Sequence, residues 1–351
     1  MLLKSSLIPF YRSLALLLLV SVLHLSSVTV REKRKNVTKA IAKVQQRGDN
    51  LEYVSEALKD NEKVVLAAVQ RDGVSLRFAS EGMKDNEKVV MVAVQQEGRS
   101  LQFASEGMKD NEKVVIAAVQ QNGFCLQIAS ESMKGNEKVV MAAVQQNGYS
   151  LEFASEGIKG NEKVVLAAVE QNYGSFEKAS EDMKDNEQVV TAAVQQEGYC
   201  LQLASEGMKG NDKVVTAAVQ QCGCSLKFVS EEMKGNEKVV IAAVQQEGYS
   251  LKYASEGMKD NEKVVMAAVQ KDGNSLQFAS EGMRGNEKVV WAVAQQAARS
   301  LQYASDSLQA KLQDIQIEFH CDVGAALRSV AEPSFCIRSH QKTYGRHVRL
   351  L

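Results

Sequence analysis

Apolar and polar positions along most of the chain return with a fixed period of 25 residues. The string Asn-Glu-Lys-Val-Val begins at Asn61, Asn86, Asn111, Asn136 and Asn161. It begins again, intact or with one substitution, at Asn186, Asn211, Asn236, Asn261 and Asn286. A worn copy precedes these: Asn36 falls in register, and Val44, Gln45, Gln46 and Gly48 match Val94, Gln95, Gln96 and Gly98. A constant period of this length is the mark of a repeat architecture, in which one supersecondary unit is stacked many times.

Residues 86–110 show what the pattern predicts inside one repeat. Asn86 suits a helix N-cap, and Glu87 favours the positive end of the helix. Val89-Val90-Met91-Val92-Ala93-Val94 is apolar on nearly every side and predicts a helix buried between neighbours. Gly98 reads as a left-handed C-terminal stop. Ser100 then caps a second, shorter helix with Leu101, Ala104 and Met108 on one stripe, ending at Lys109 and Asp110. The residue before each signature Asn is Asp at Asp60, Asp85, Asp110, Asp185 and Asp260, and Gly at Gly135, Gly160, Gly210, Gly235 and Gly285. This alternation suggests a tight turn with positive φ. The serines recurring from Ser55 to Ser305 read as small residues at helix crossings, bonded back to their own helix.

Helices of about 11 residues are marginal in isolation, so no repeat can stand alone and each must bury its faces against the next. Alanines such as Ala67, Ala68, Ala117 and Ala118 permit close helix approach. The expected fold is therefore all-α, an α-solenoid of two-helix repeats. The strand pattern of a leucine-rich repeat is missing. The array is expected over residues 36–319, closed by a longer amphipathic cap helix carrying Leu301, Ala304, Leu308, Leu312, Ile315 and Phe319. Residues 320–351 lose the register and read as a loosely ordered basic tail.

Residues 1–30 form a hydrophobic segment that is a signal peptide, a membrane anchor or a helix covering the first repeat. The stretch 13–30 has no charged residue apart from His24, and Arg31, Lys33, Arg34 and Lys35 follow it. Membrane association would run through residues 13–30. An anchor with this flank would leave the repeats in the cytosol, whereas the sequon Asn36-Val37-Thr38 points to the secretory pathway. Asn36, however, already serves as a cap in this reading. The six cysteines do not make a disulfide framework, since only Cys321 and Cys336 are placed to pair.

Composition narrows the function. A net charge of −1, with Glu and Lys balanced inside each repeat, removes the electrostatic reason to expect nucleic acid. Only two prolines, Pro9 and Pro333, occur, both outside the repeats. None of the four histidines lies in the repeats, and no phosphate loop or nucleophile–base set is found there, so no enzyme, cofactor or resident metal is expected. Asp-Asn-Glu at each turn lacks calcium-loop spacing, and His320-Cys321 with Cys336 and His340 makes a poor zinc set.

The informative positions are those that vary between copies. After the turn glycine stand Val74, Arg99, Phe124, Tyr149, Tyr199, Cys224, Tyr249, Asn274 and Arg299. Phe124, Tyr149, Tyr199 and Tyr249 are the candidate interaction surface, because aromatic rings bury large faces at low entropic cost. Their alternative role is to cover the turn. A glutamine row (Gln45, Gln70, Gln95, Gln120, Gln145, Gln195, Gln220, Gln245, Gln270, Gln295) reads as a hydrogen-bonded ladder. In Tyr173-Gly174 the glycine slips by one place, and Lys178 replaces the usual Phe, Leu or Tyr, which suggests a local bend.

Val114-Val115, Ala117-Ala118-Val119, Gly123, Leu126 and Ala129-Ser130 resemble a family of tandem helical repeats known only as a domain of unknown function, number forty-one sixteen. The resemblance covers roughly residues 36–306, with one family domain spanning about two repeats. It implies a helical fold and no catalytic residues or ligand. The function expected is a non-enzymatic interaction scaffold binding protein or peptide. The alternatives are a membrane-tethered or secreted repeat protein and, disfavoured by the neutral repeat, a nucleic-acid reader.

Overall fold

A computed structural model describes residues 31–296 and 298–310, with side chains except at 295–299. The hydrophobic segment 1–30, the far part of the expected cap helix (311–319) and the tail 320–351, with its cysteines and histidines, lie outside the described residues. Among the described residues every regular element is helical, and no strand occurs. The fold is an all-α tandem repeat. The chain divides into two compact units, Met1–Ile158 and Lys159–Leu351.

Within the first unit, long helices Glu62–Arg71, Glu87–Gln96, Glu112–Gln121 and Glu137–Gln146 stack in order, preceded by a helix over residues 31–46. In the second unit the corresponding stack runs through Glu162–Gln171, Glu187–Gln196, Asp212–Gln221, Glu237–Gln246, Glu262–Lys271 and Glu287–Gln296. The reason for the stacking is visible in any one copy. Val89, Val90, Ala93 and Val94 lie on one broad stripe and are wholly buried between neighbouring helices, and Leu101 fills the space beneath. Asn86 caps as expected, its side chain accepting from Val89 N–H at 3.2 Å.

The second helical stretch comes in two pieces. A 3-10 helix, Gly98–Phe103, is separated from a one-turn helix, Glu106–Lys109, by Ala104 and Ser105 in extended conformation. The break arises because Ser105 N–H donates sideways to Lys84 O of the preceding repeat at 3.0 Å, not to its own helix. Ser105 Oγ accepts from Met108 N–H and donates to Asp85. This recurrent serine is thus an N-cap and an inter-repeat link, and does not bond back to its own carbonyl. Ser100 does not cap either: it sits inside the 3-10 helix, fully buried.

The two glycine arguments also change. Gly98 does not have positive φ; instead a Cβ there would lie 2.6 Å from Ala118 O, so glycine is needed for close approach to the next long helix. Before the signature Asn, Asp85 (φ −101°) and Gly135 (φ −93°) share one ordinary right-handed conformation. What distinguishes them is bonding. Each of Asp60, Asp85, Asp110, Asp185 and Asp260 accepts from the serine of the next repeat, which glycine cannot do. At the start of the array Asn36 is no cap, because residues 31–46 form one uninterrupted helix with Asn36 exposed on it.

Candidate interaction surface

The varying positions fall at the second place of each 3-10 helix, where the chain has just left the long helix and the side chain points away from the buried leucine. Phe124 and Tyr149 in the first unit, and Tyr199 and Tyr249 in the second, are 39% to 46% exposed despite their size. The orientation of three of them, Phe124, Tyr199 and Tyr249, is set by a second ring. Phe124 stands edge-on to Phe153 with centroids 5.9 Å apart. Tyr199 meets Phe228 at 5.8 Å, and Tyr249 meets Phe278 at 4.8 Å, both also edge-on. In these three pairs the supporting ring comes from the sixth place of the next repeat's 3-10 helix, and Tyr249 also meets Tyr253 of its own 3-10 helix at 6.3 Å. The sixth place in the repeat after Tyr149 is Lys178. Sequence reasoning missed these partners, although aromatic residues recurring at that place, at Phe78, Phe103, Phe153, Phe228, Tyr253 and Phe278, were the available signal.

Cations accompany the rings. Arg77 lies over Phe78 at 4.4 Å, and Lys227 over Phe228 at 5.5 Å. Lys252 Nζ lies over Tyr249 and donates to its hydroxyl at 3.1 Å, which raises the Lys252 pKa. Arg299 belongs to the side chains outside the described set.

Beside Tyr199 the second unit gathers two thiols around one carboxylate. Cys224 Sγ donates to Glu247 Oε2 at 2.6 Å, and Cys222 Sγ to Oε1 at 3.5 Å. Burial first, and then Glu247, push the Cys224 thiol up to about 11. A hydrogen bond with Cys222 likewise raises the Tyr199 phenol. Cys125 and Cys200 occupy the place of the buried serines, and burial pushes each up to about 11. Cys125, Cys200 and Cys224 therefore remain thiols at neutral pH, which suits packing more than nucleophilic attack. No cluster of three or more His, Cys, Asp or Glu side chains fit to hold a metal ion occurs among the described residues.

The glutamine ladder is real at certain joints but belongs to the neighbouring register position. Gln146 Oε1 accepts from Gly123 N–H, and Gln221 Oε1 from Gly198 N–H, both at 2.7 Å. Gln196 Nε2 donates to Val169 O at 2.9 Å. The glutamines singled out from the sequence, such as Gln95, Gln120 and Gln145, point outward and are exposed. The reason is angular: the second glutamine of each pair lies one residue further round the helix, towards the adjacent repeat.

Tyr173, Gly174 and Lys178 lie in a 3-10 helix that keeps its six residues and its register, Tyr173–Lys178. Tyr173 therefore occupies the close-approach position that glycine holds at Gly98, and is 44% exposed. This 3-10 helix touches the following long helix, Glu187–Gln196, less extensively than its counterparts touch theirs.

Comparison with known families bears on the whole array. The family described as Domain of unknown function (DUF4116) matches six times, at residues 39–84, 61–109, 111–159, 161–209, 211–259 and 261–309. The chain belongs to this family. Each DUF4116 match spans about two repeats, so the family's domain is a pair of the 25-residue copies seen in the sequence. No curated protein and no solved structure gives a significant match. No helix among the described residues of this DUF4116 array is long and apolar enough to cross a membrane.

Proposed function

We propose that the chain is a non-enzymatic interaction scaffold that binds protein or peptide through Phe124 and Tyr149 on the 3-10 edge of the first unit and through Tyr199 and Tyr249 on that of the second. The observation that carries this reading is the pairing of exposure with rigidity. Phe124, Tyr199 and Tyr249, about two-fifths exposed, are held edge-on by a second ring in the next repeat, so little rotamer freedom is lost when a partner covers them. Tyrosine adds a polar tip that anchors a peptide backbone as well as an apolar face. The neutral repeat favours polypeptide over nucleic acid as the ligand.

Selection from a displayed peptide library on the full chain tests the proposal, with the Tyr199→Ser/Tyr249→Ser double variant as counter-target. Enriched peptides are expected to bind the variant at least about tenfold more weakly, while its thermal unfolding stays close to wild type. Equal enrichment on both targets would reject the edge as the binding surface.

A further inference from the structure

The inter-repeat joint seen throughout the first unit is incomplete at one place. Ser80, Ser105, Ser130 and Ser155 each donate N–H to the lysine carbonyl that ends the preceding one-turn helix, all at 3.0 Å. Three of them, Ser80, Ser105 and Ser130, also donate Oγ to the aspartate that follows that lysine. Ser55 has the same conformation, φ −65° and ψ 154°, but neither its N–H nor its hydroxyl meets a partner among the described residues. The cause lies upstream. The residues that should form the preceding one-turn helix are absorbed into the continuous helix 31–46. Arg34 O, the counterpart of the lysine carbonyl, accepts inside that helix from Thr38 Oγ1 at 3.0 Å. Lys35 stands where the aspartate should be.

What remains is a recess of about 580 Å³ between the helix 31–46 and the segment Tyr53–Leu58. Val37, Ala40, Val54 and Leu58 give it apolar walls, and Tyr53 at its rim is 79% exposed. Lys33, Lys39 and Lys43 line it with no carboxylate paired to them among the described residues. The Ser55 donors left without a partner are those that, at the other joints of this unit, meet the end of a one-turn helix. That helix reads Glu-Gly-Met-Lys-Asp at residues 81–85 and 106–110 of this unit.

We propose that this recess is a docking seat for a short acidic helical turn of a partner protein, with an apolar residue two places before an aspartate. The turn's last carbonyl accepts from Ser55 N–H, its aspartate accepts from Ser55 Oγ, and its net negative charge faces the three lysines. The chain's own residues 1–30 contain no Asp or Glu and cannot supply that aspartate. In a second copy the carbonyls from Lys59 to Arg284 are already bonded to the next serine, and its last turn, 306–310, ends on Ala310 and not on an aspartate.

The test uses the full chain and a fluorescein-labelled peptide, Ser-Glu-Gly-Met-Lys-Asp-Asn, read by anisotropy. Saturable binding is expected, weakened about tenfold when the peptide aspartate is replaced by alanine. Ser55→Pro removes both donors at a φ that proline adopts without strain, and should weaken binding by a similar factor. The surface pair Lys39→Glu/Lys43→Glu gives an independent check if the proline variant folds poorly, and should also weaken binding. No saturable binding, or equal binding by wild type and variants, overturns the proposal. A photo-crosslinker replacing Tyr53 separates the occupants. A bond to the peptide supports the seat, whereas a bond to residues 1–30, to residues 311–351 or to a second copy overturns the foreign partner.

Discussion

At Asn111, Asn136, Asn186, Asn211, Asn261 and Asn286 the signature asparagine does two jobs at once, and an aspartate in its place would lack the donor. Asn211 Oδ1 caps its own helix by accepting from Val214 N–H at 3.2 Å, while Nδ2 donates to Glu187 Oε2 of the preceding repeat at 3.1 Å. Asn261 bridges to Glu237 in the same way at 3.2 Å. Hydrogen bonds from Lys213 and Lys263 first, and then from these asparagines, hold Glu187 and Glu237 below the ordinary value of 4.5. Because the folded-state pKa is the lower one, the stabilisation is present above the unfolded value and is lost as pH falls through the folded value. Asn211→Asp keeps the cap but sets a second carboxylate against Glu187. NMR titration should show the Glu187 pKa move upward, with a stability loss at pH 7 that shrinks in acid. An unchanged Glu187 titration would refute the dual role. The turn residue offers the opposite experiment. Gly135 has ordinary helical φ, and a Cβ there would meet Ser155 Oγ at 3.6 Å without crowding. Gly135→Asp should therefore restore the missing link and raise stability by about 0.5–1.5 kcal/mol in denaturant unfolding.

At the level of elements, the long helices were legible because two signals coincide: a capping asparagine and a broad valine–alanine stripe. The composite nature of the second stretch was not legible. Leu101, Ala104 and Met108 have helical spacing, and what breaks the helix is a bond from Ser105 to a carbonyl in another repeat, which no local pattern records. The glycine misreading has the same origin, since Gly98 answers to Ala118 O in the next repeat and not to its own φ. Of the candidate surface, the exposed rings were visible as variable positions, but their supporting rings lie one repeat away. The same dependence on neighbours makes Tyr173 informative. Exchanging the pair, Tyr173→Gly with Gly174→Tyr, should let this 3-10 helix close onto Glu187–Gln196 and raise the thermal midpoint by a few degrees, roughly 1 kcal/mol of added stability. A lower midpoint would mean that the tyrosine is better accommodated here than the glycine would be.

Within each unit the extensive contacts of the described repeats are with their immediate neighbours in the stack, so stability should be distributed as a chain of nearest-neighbour terms. Leu226 is fully buried at one such joint of the second unit. Leu226→Ala should cost about 2–5 kcal/mol locally. Native-state hydrogen exchange should show protection falling across residues 212–246 and fading towards Glu162–Gln171 in the same unit. A uniform loss of protection throughout that unit would argue for all-or-none behaviour instead.

The link from each serine to the lysine carbonyl before it has a consequence for how such a chain can change over generations. A backbone bond that recurs from Ser80 to Ser305, whatever the turn residue beside it, does not register how many steps there are. A whole copy can be duplicated or excised by unequal exchange between near-identical stretches of its gene, and the new neighbours find the donors and acceptors they would have met anyway. Length is then inherited loosely, while identity resides in the few outward rings and at Ser55, whose side of the joint has no partner among the described residues.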